Sequence, residues 1–187
     1  MARRPPIPLG RLSRRRWPRW LVVLLLLLAA LRGLDALVPT GPPERLEPDT
    51  YAVDRVVDGD TLLLANGAWV RLIGVDTPET VRPEHPVEPF GPEATEFTRR
   101  LIRDAGWRVR LEFDGPRKDR FDRFLAVVWV DGRMLNEELL RAGLARPRTE
   151  FRFSPPLKAR LRAAAEEAEE ARRGIHGPLP APVGGTR

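Results

Sequence analysis

Two turn signals eight residues apart, Asp58-Gly59 and Asn66-Gly67, cut the stretch from Tyr51 to Gly74 into three short apolar runs. Runs of that length are too short for helices and are bounded as strands are. Tyr51 to Val57 reads as one strand, Asp58-Gly59 as a hairpin turn and Thr61 to Leu64 as the partner strand. Asn66-Gly67 is the stronger hairpin signal, since Asn and Gly tolerate the positive φ that tight hairpins need. A third strand follows from Ala68 to Gly74. Strands joined this tightly meander, so the region predicts a curled sheet.

The rest of the chain supplies two more strands and a set of helices. Val81 to Phe90 carries three prolines and both signs of charge, and reads as a loop. Pro92 suits the first turn of a helix whose apolar face is Ala94, Phe97, Leu101 and Ile102, ended by Gly106. Trp107 to Phe113 and Phe124 to Val130 are strands, with Asp131-Gly132 turning after the second. Asn136 is placed to cap a short helix carrying Leu139 and Leu140, stopped by Gly143. A last helix runs from Pro155 to Arg173. The fold class is therefore α+β, mainly β: a five-stranded closed barrel with about three flanking helices. The oligonucleotide-binding (OB) barrel is the commonest architecture of this kind. The predicted domain covers residues 50–177, and residues 178–187 form a frayed tail.

The charge is uneven. The chain has 187 residues and a net charge of +6. Seven arginines and no acid lie in residues 1–20, and without them 25 basic residues face 26 acidic ones, a net of −1. The basic balance is thus no argument for nucleic-acid binding, and any phosphate-binding patch must be local. Residues 1–19 instead form a basic n-region before Trp20 to Leu31, twelve apolar residues that end at Arg32. This is the pattern of a secretory signal or, extended over residues 20–38 with Arg32 and Asp35 one turn apart, of an uncleaved signal anchor. No good small-x-small cleavage site follows, which favours the anchor. Either reading keeps the positive end in the cytoplasm and places the rest outside it. Residues 39–49 are proline-rich and read as a semi-rigid linker. The absence of cysteine excludes disulfides and thiolate metal sites.

Acids and arginines gather on three segments at the edges of the predicted strands: Asp58-Gly59-Asp60-Thr61, Arg71 with Asp76-Thr77-Pro78-Glu79-Thr80, and Asp119-Arg120-Phe121-Asp122-Arg123. Singly, each has an ordinary structural reading. Asp-Gly is a common turn, Asp76-Thr77-Pro78 fits a turn closed by an aspartate side chain, and Asp119 to Arg123 would pass as a solvated loop. Their conjunction at the ends of one meander calls for a chemical explanation. A phosphodiester resists hydroxide until its charge is neutralised. Asp60 and Asp76 offer oxygen ligands to a hard cation, and arginines donate paired hydrogen bonds to phosphate oxygens. Glu79, three residues beyond Asp76, can face the same cleft without ligating the metal and there orient or deprotonate a water. His85 and His176 lie outside any zinc-binding pattern and read as surface residues.

With these pieces in place, residues 50–177 resemble the staphylococcal nuclease (thermonuclease, micrococcal nuclease) family. The matching segments are those three, together with Phe90-Gly91-Pro92-Glu93-Ala94, Asn136-Glu137 and Ala142-Gly143-Leu144-Ala145. The resemblance implies an OB-barrel enzyme that hydrolyses DNA and RNA with Ca²⁺ and leaves 3′-phosphate ends. It implies that Asp60, Asp76 and the Thr77 carbonyl bind calcium, that Arg71 and Arg123 bind phosphate, that Glu79 is the catalytic glutamate, and that Asp58 is a nearby supporting acid, with Asp119 beside it in that role. Nucleic acid, preferably single-stranded, is the expected partner, with the membrane a second one through residues 20–38 where uncleaved; the expected state is a monomer. Phe121 stands where the family often has a tyrosine, and Asp122 replaces a glycine, so that it either clamps Arg123 or repels phosphate. Phe151 and Phe153 correspond loosely to the family's stacking aromatics. The competing class is a non-catalytic binding module, which keeps the barrel and loses the acids and arginines.

Overall fold

Both predicted hairpins form. The structure, a computed structural model, describes residues 41–80 and 87–179. The basic start, the apolar segment 20–38, His85 and the end of the tail lie outside the described residues. No helix among the described residues is long and apolar enough to cross a membrane. Strands β1 (Thr50–Asp58), β2 (Thr61–Leu64), β3 (Trp69–Leu72) and β4 (Val75–Asp76) precede helix α1 (Gly91–Asp104). Strands β5 (Arg108–Glu112), β6 (Phe124–Val130) and β7 (Arg133–Met134) lead into helix α2 (Leu135–Arg141). Strand β8 (Arg146–Pro147), helix α3 (Pro155–Glu170) and a 3₁₀ turn at Gly174–His176 complete it.

The sheet closes on itself. β1 pairs antiparallel with β2 on one side and β5 on the other, β2 with β3, and β5 with β6. The ring is completed by a parallel β3–β6 pairing, Val70 opposite Phe124 and Leu72 opposite Ala126. A parallel closure needs a long crossover, and here α1 and β5 lie within it. β1 pairs with β5 through Thr50 to Ala52 and with β2 through Val53 to Asp58, and irregularities between Val53 and Arg55 and between Val56 and Asp58 bend it. The barrel interior holds Val53, Leu62, Leu64, Val70, Leu72, Leu111 and Val128, all buried. Ala94 and Ile102 of α1, Leu139 and Leu140 of α2, and Leu161 and Ala164 of α3 extend that core outward.

Three expectations change. The third strand does not run on to Gly74. It stops at Leu72, and Gly74 takes a φ of 76°, where an added Cβ would stand 2.5 Å from Leu161 Cδ1. That bend starts β4 and carries Asp76 towards the barrel end. Asn136 does not cap α2, whose N-cap is Met134. It is fully buried, accepting from Val128 N (2.9 Å) and donating to Ile73 O (2.8 Å), and so ties the helix to the barrel. The last part of the predicted linker belongs to the fold: Leu46 is buried, its carbonyl accepts from Arg117, and Asp49 O accepts from Leu111 N.

Candidate functional site

One cleft of about 1070 Å³ opens where the β1–β2 turn, the end of β3, β4 and the loop before β6 meet. Asp58, Asp60, Arg71, Asp76, Thr77 and Glu79 line one part of it. Asp119, Phe121, Arg123 and Phe151 line the rest. Segments distant in sequence therefore converge as expected, with one exception described below.

The β1–β2 turn reaches the cleft because Gly59 has no side chain. A Cβ there would lie 2.7 Å from Thr77 Cγ2 and 2.9 Å from Ala94 Cβ. Its carbonyl accepts from Thr98 Oγ1 of α1 (2.6 Å), and Asp58 Oδ1 accepts from Asp60 N (3.1 Å). Asp60 is 3% exposed, and its carboxylate accepts from Thr61 Oγ1 (3.1 Å) and Thr77 N (2.8 Å). Arg71, opposite Thr61 on β3, spans the two aspartates. Its Nη2 donates to Asp76 Oδ1 at 2.6 Å, and its Nη1 lies in ion-pair contact with Asp60 Oδ2. Nη1 is buried, so its contact with Asp60 is shielded from solvent.

Burial dominates the electrostatics here. It lowers the proton affinity of Arg71, opposed by the charges of Asp76 and Asp58, with Arg123 adding to the lowering. Burial likewise pushes the Asp58 carboxyl up, against hydrogen bonding from Thr61 and the charges of Arg71 and Arg123. The two arginines and Asp58 thus share one field.

Arg123 is held by Asp119. Asp119 Oδ1 accepts from the main-chain N–H of Phe121 (2.9 Å) and of Arg123 (3.0 Å), while Oδ2 accepts from Arg123 Nε (2.8 Å). Asp122 does not clamp Arg123. Its carboxylate pairs with Lys118 Nζ at 2.8 Å, and its φ of 63° is a left-handed conformation that glycine adopts more readily. The Phe121 ring is 64% exposed, under the guanidiniums of Arg120 and Arg123. Glu79 accepts from Thr80 N through Oε1 (3.2 Å), and its main chain pairs with Glu88 at 2.9 Å.

Phe153 is the exception. Its neighbour Phe151 is 52% exposed beside the cleft, but Phe153 is 8% exposed and packs against Gly74. An anchored core ring cannot stack on a ligand, so only Phe151 keeps the expected placement. Arg148 belongs to the cleft as well. It donates to Asp76 Oδ2 at 3.0 Å and lies over the Phe151 ring. Its sequence signal, alternation with Arg146 on an extended stretch, is faint in a chain so rich in arginine.

The donor chemistry suits a hard cation. Asp60 and Asp76 lie within the width of one guanidinium fork, so a single positive group already bridges them. Among the described residues no cluster of three or more His, Cys, Asp or Glu side chains forms a metal cage. Two carboxylates and a main-chain oxygen would then be completed by water and phosphate oxygens, a shell that Ca²⁺ accepts and softer metals do not favour.

Comparison with known proteins agrees with this geometry. The family described as "Staphylococcal nuclease homologue" matches residues 69–176. The protein named Thermonuclease from Staphylococcus hyicus is 43% identical over 129 residues, 67% of this chain and 75% of that protein. The Thermonuclease of Staphylococcus intermedius is 43% identical over 125 residues, 65% of this chain and 70% of its own length. Endonuclease YncB of Bacillus subtilis (strain 168) is 44% identical over 98 residues, half of this chain and 46% of that protein. A closed barrel, a cleft of acids and arginines at its end and matches of this extent lead to one conclusion: the chain belongs to the staphylococcal nuclease homologue family.

Proposed function

We propose that this chain is a nuclease, a hydrolase that cleaves phosphodiester bonds of DNA and RNA in a calcium-dependent reaction and leaves 3′-phosphate ends. The observation that carries the reading is the convergence of Asp60, Asp76, Arg71, Arg123 and Glu79 on one cleft. Relatives named Thermonuclease and Endonuclease support it.

In this reading Asp60, Asp76 and the Thr77 carbonyl hold the cation, which supplies positive charge against the phosphate. Arg71 and Arg123 meet the charge that builds on the equatorial oxygens as the phosphorus becomes five-coordinate, where preorganised donors do most. Asp119 keeps the Arg123 fork aimed, so little reorganisation is needed as the bond breaks. Glu79 orients the attacking water and takes its proton. Phe121 and Phe151 offer exposed rings to unpaired bases, which favours single strands.

The deciding experiment is cleavage of a short single-stranded oligonucleotide by the full chain, with Ca²⁺, with excess chelator and with Zn²⁺. Cleavage with Ca²⁺ alone, giving 3′-phosphate products, is the expected result. Full cleavage in chelator removes the metal assignment, and no cleavage under any condition favours a binding module on the same barrel. Residues 20–38 further support an extracytoplasmic location, anchored or secreted. Resistance to alkaline carbonate extraction marks the anchor, and a mature form starting near residues 33–40 marks a cleaved signal.

A further inference from the structure

Asp76 is held from two sides. Arg71 Nη2 takes Oδ1 at 2.6 Å and Arg148 Nη1 takes Oδ2 at 3.0 Å. The second contact is built into the fold. β8 pairs with β4 so that Asp76 lies opposite Arg146, and Arg148 N donates to Gly74 O at 2.8 Å, at the bend that starts β4. The Arg148 guanidinium has two further neighbours: Glu150 Oε1 on Nε at 2.5 Å and the Phe151 ring at 5.2 Å. A planar fork contacted on three sides is oriented before any ligand arrives.

We propose that Arg148 is a positioning residue that competes with the cation for Asp76 and so sets the affinity of the site for calcium. The inference rests on the cation assignment made above. A guanidinium on Oδ2 draws on the negative charge that a cation would use, and a fixed positive charge beside Asp76 repels a divalent ion. Arg148 and the cation therefore compete for the charge of Oδ2. Arg148 is the one that can yield. Its side chain is 41% exposed against 15% for Arg71, and Glu150 and Phe151 remain to receive it. Released from Asp76, the Arg148 guanidinium would remain beside Phe151, where a phosphate could meet it, so metal and substrate would favour each other through this residue.

The test is calorimetric titration of the full chain with Ca²⁺, without nucleic acid, for the wild type, Arg148→Gln, Arg148→Lys and Arg146→Gln. Arg146 is the charge control. It lines the same cleft, but the ion pairs of Asp76 are with Arg71 and Arg148. Because the Arg148 pair is partly exposed, Arg148→Gln is expected to bind calcium about three- to tenfold tighter. Arg148→Lys, which keeps the charge without the fork, falls between it and the wild type, and Arg146→Gln shifts affinity by less than about twofold. Unchanged or weaker binding by Arg148→Gln, or an equal gain from Arg146→Gln, overturns the proposal. Should Arg148→Gln fail to fold, Arg148→Lys decides alone, and no gain in affinity overturns it. A wild type that binds no calcium at millimolar concentration overturns the cation assignment and this inference together. Calcium binding that Arg148→Gln leaves untouched overturns only the inference.

Discussion

Asp119 grips Arg123 with both carboxylate oxygens, one on the main-chain N–H and the other on the side-chain Nε, at 3.0 and 2.8 Å. The same carboxylate therefore shapes the loop and aims the guanidinium. Asp119→Ala should leave a charged but wandering arginine, and turnover should fall about 10- to 100-fold because the donor must be re-aimed in every cycle. Single-turnover cleavage by Asp119→Ala and Asp119→Asn measures it. A wild-type rate in both would mean that Arg123 needs no such support.

Arg71 and Arg123 carry bidentate geometry as well as charge. Replacing either with Lys keeps the charge and loses the fork, so a loss of about 10²-fold in the chemical step is expected. Glu79→Gln should slow the same step while calcium affinity stays near wild type, since Glu79 is assigned to the water. If Arg71→Lys and Glu79→Gln both cleave at the wild-type rate, the active-site assignment fails and a binding module becomes the better reading.

Asp122 holds a left-handed backbone conformation, φ 63°, and its carboxylate serves an exposed pair with Lys118. Glycine there relieves backbone strain of about 1 kcal/mol, partly offset by the greater freedom of glycine in the unfolded chain. Asp122→Gly should thus change stability by less than about 1 kcal/mol. Activity should be equal or higher, because a negative charge leaves the rim of the cleft. Denaturant midpoints and turnover on the same preparation check both parts, and a marked loss of activity would show that Asp122 has a positive role.

Loss of Asn136 should cost the fold heavily although its side chain lies outside the cleft. Asn136→Ala leaves the Val128 N–H and the Ile73 carbonyl unpaired in the core, at about 1–3 kcal/mol for each buried group. Urea unfolding should show a loss of roughly 2–5 kcal/mol. A loss below 1 kcal/mol would mean that water or a shift of α2 replaces those bonds.

Local chemistry made much of this protein legible. Phe124 to Val130 reads as a strand residue for residue, because one apolar run is bounded by charge before and Asp-Gly after. The acids and arginines were readable since each stands where a tight turn brings a strand end to the barrel rim. What could not be read depended on partners remote in sequence. Nothing near Gly74 announces that Leu161 and Phe153 will fill the space of its missing Cβ. Asn136 has the composition of a helix cap, and only the packed barrel offers it Ile73 and Val128. Phe151 and Phe153 are chemically alike two residues apart, and burial alone separates the exposed ring from the core one.

Glu137 ties stability to pH. It is 9% exposed on α2, where Arg141 Nη2 donates to it at 2.5 Å and Arg160 Nε at 2.7 Å. Burial pushes its carboxyl up, but hydrogen bonds and charge from Arg160 and Arg141 outweigh this, and the net direction is below its ordinary 4.5. A carboxyl depressed on folding adds stability that is present above its unfolded pKa and lost as pH falls through its folded one. Glu137→Gln should therefore be less stable than the wild type near neutral pH by about 1–3 kcal/mol, since two guanidiniums lose a charged acceptor. The gap should narrow as pH falls below 4.5 and close once pH passes the depressed folded-state value. Comparing the two at about pH 7 and about pH 3 separates this from the other carboxylates, which titrate in both proteins. A gap that stays constant between those pH values would show that Glu137 contributes through packing and not through its charge.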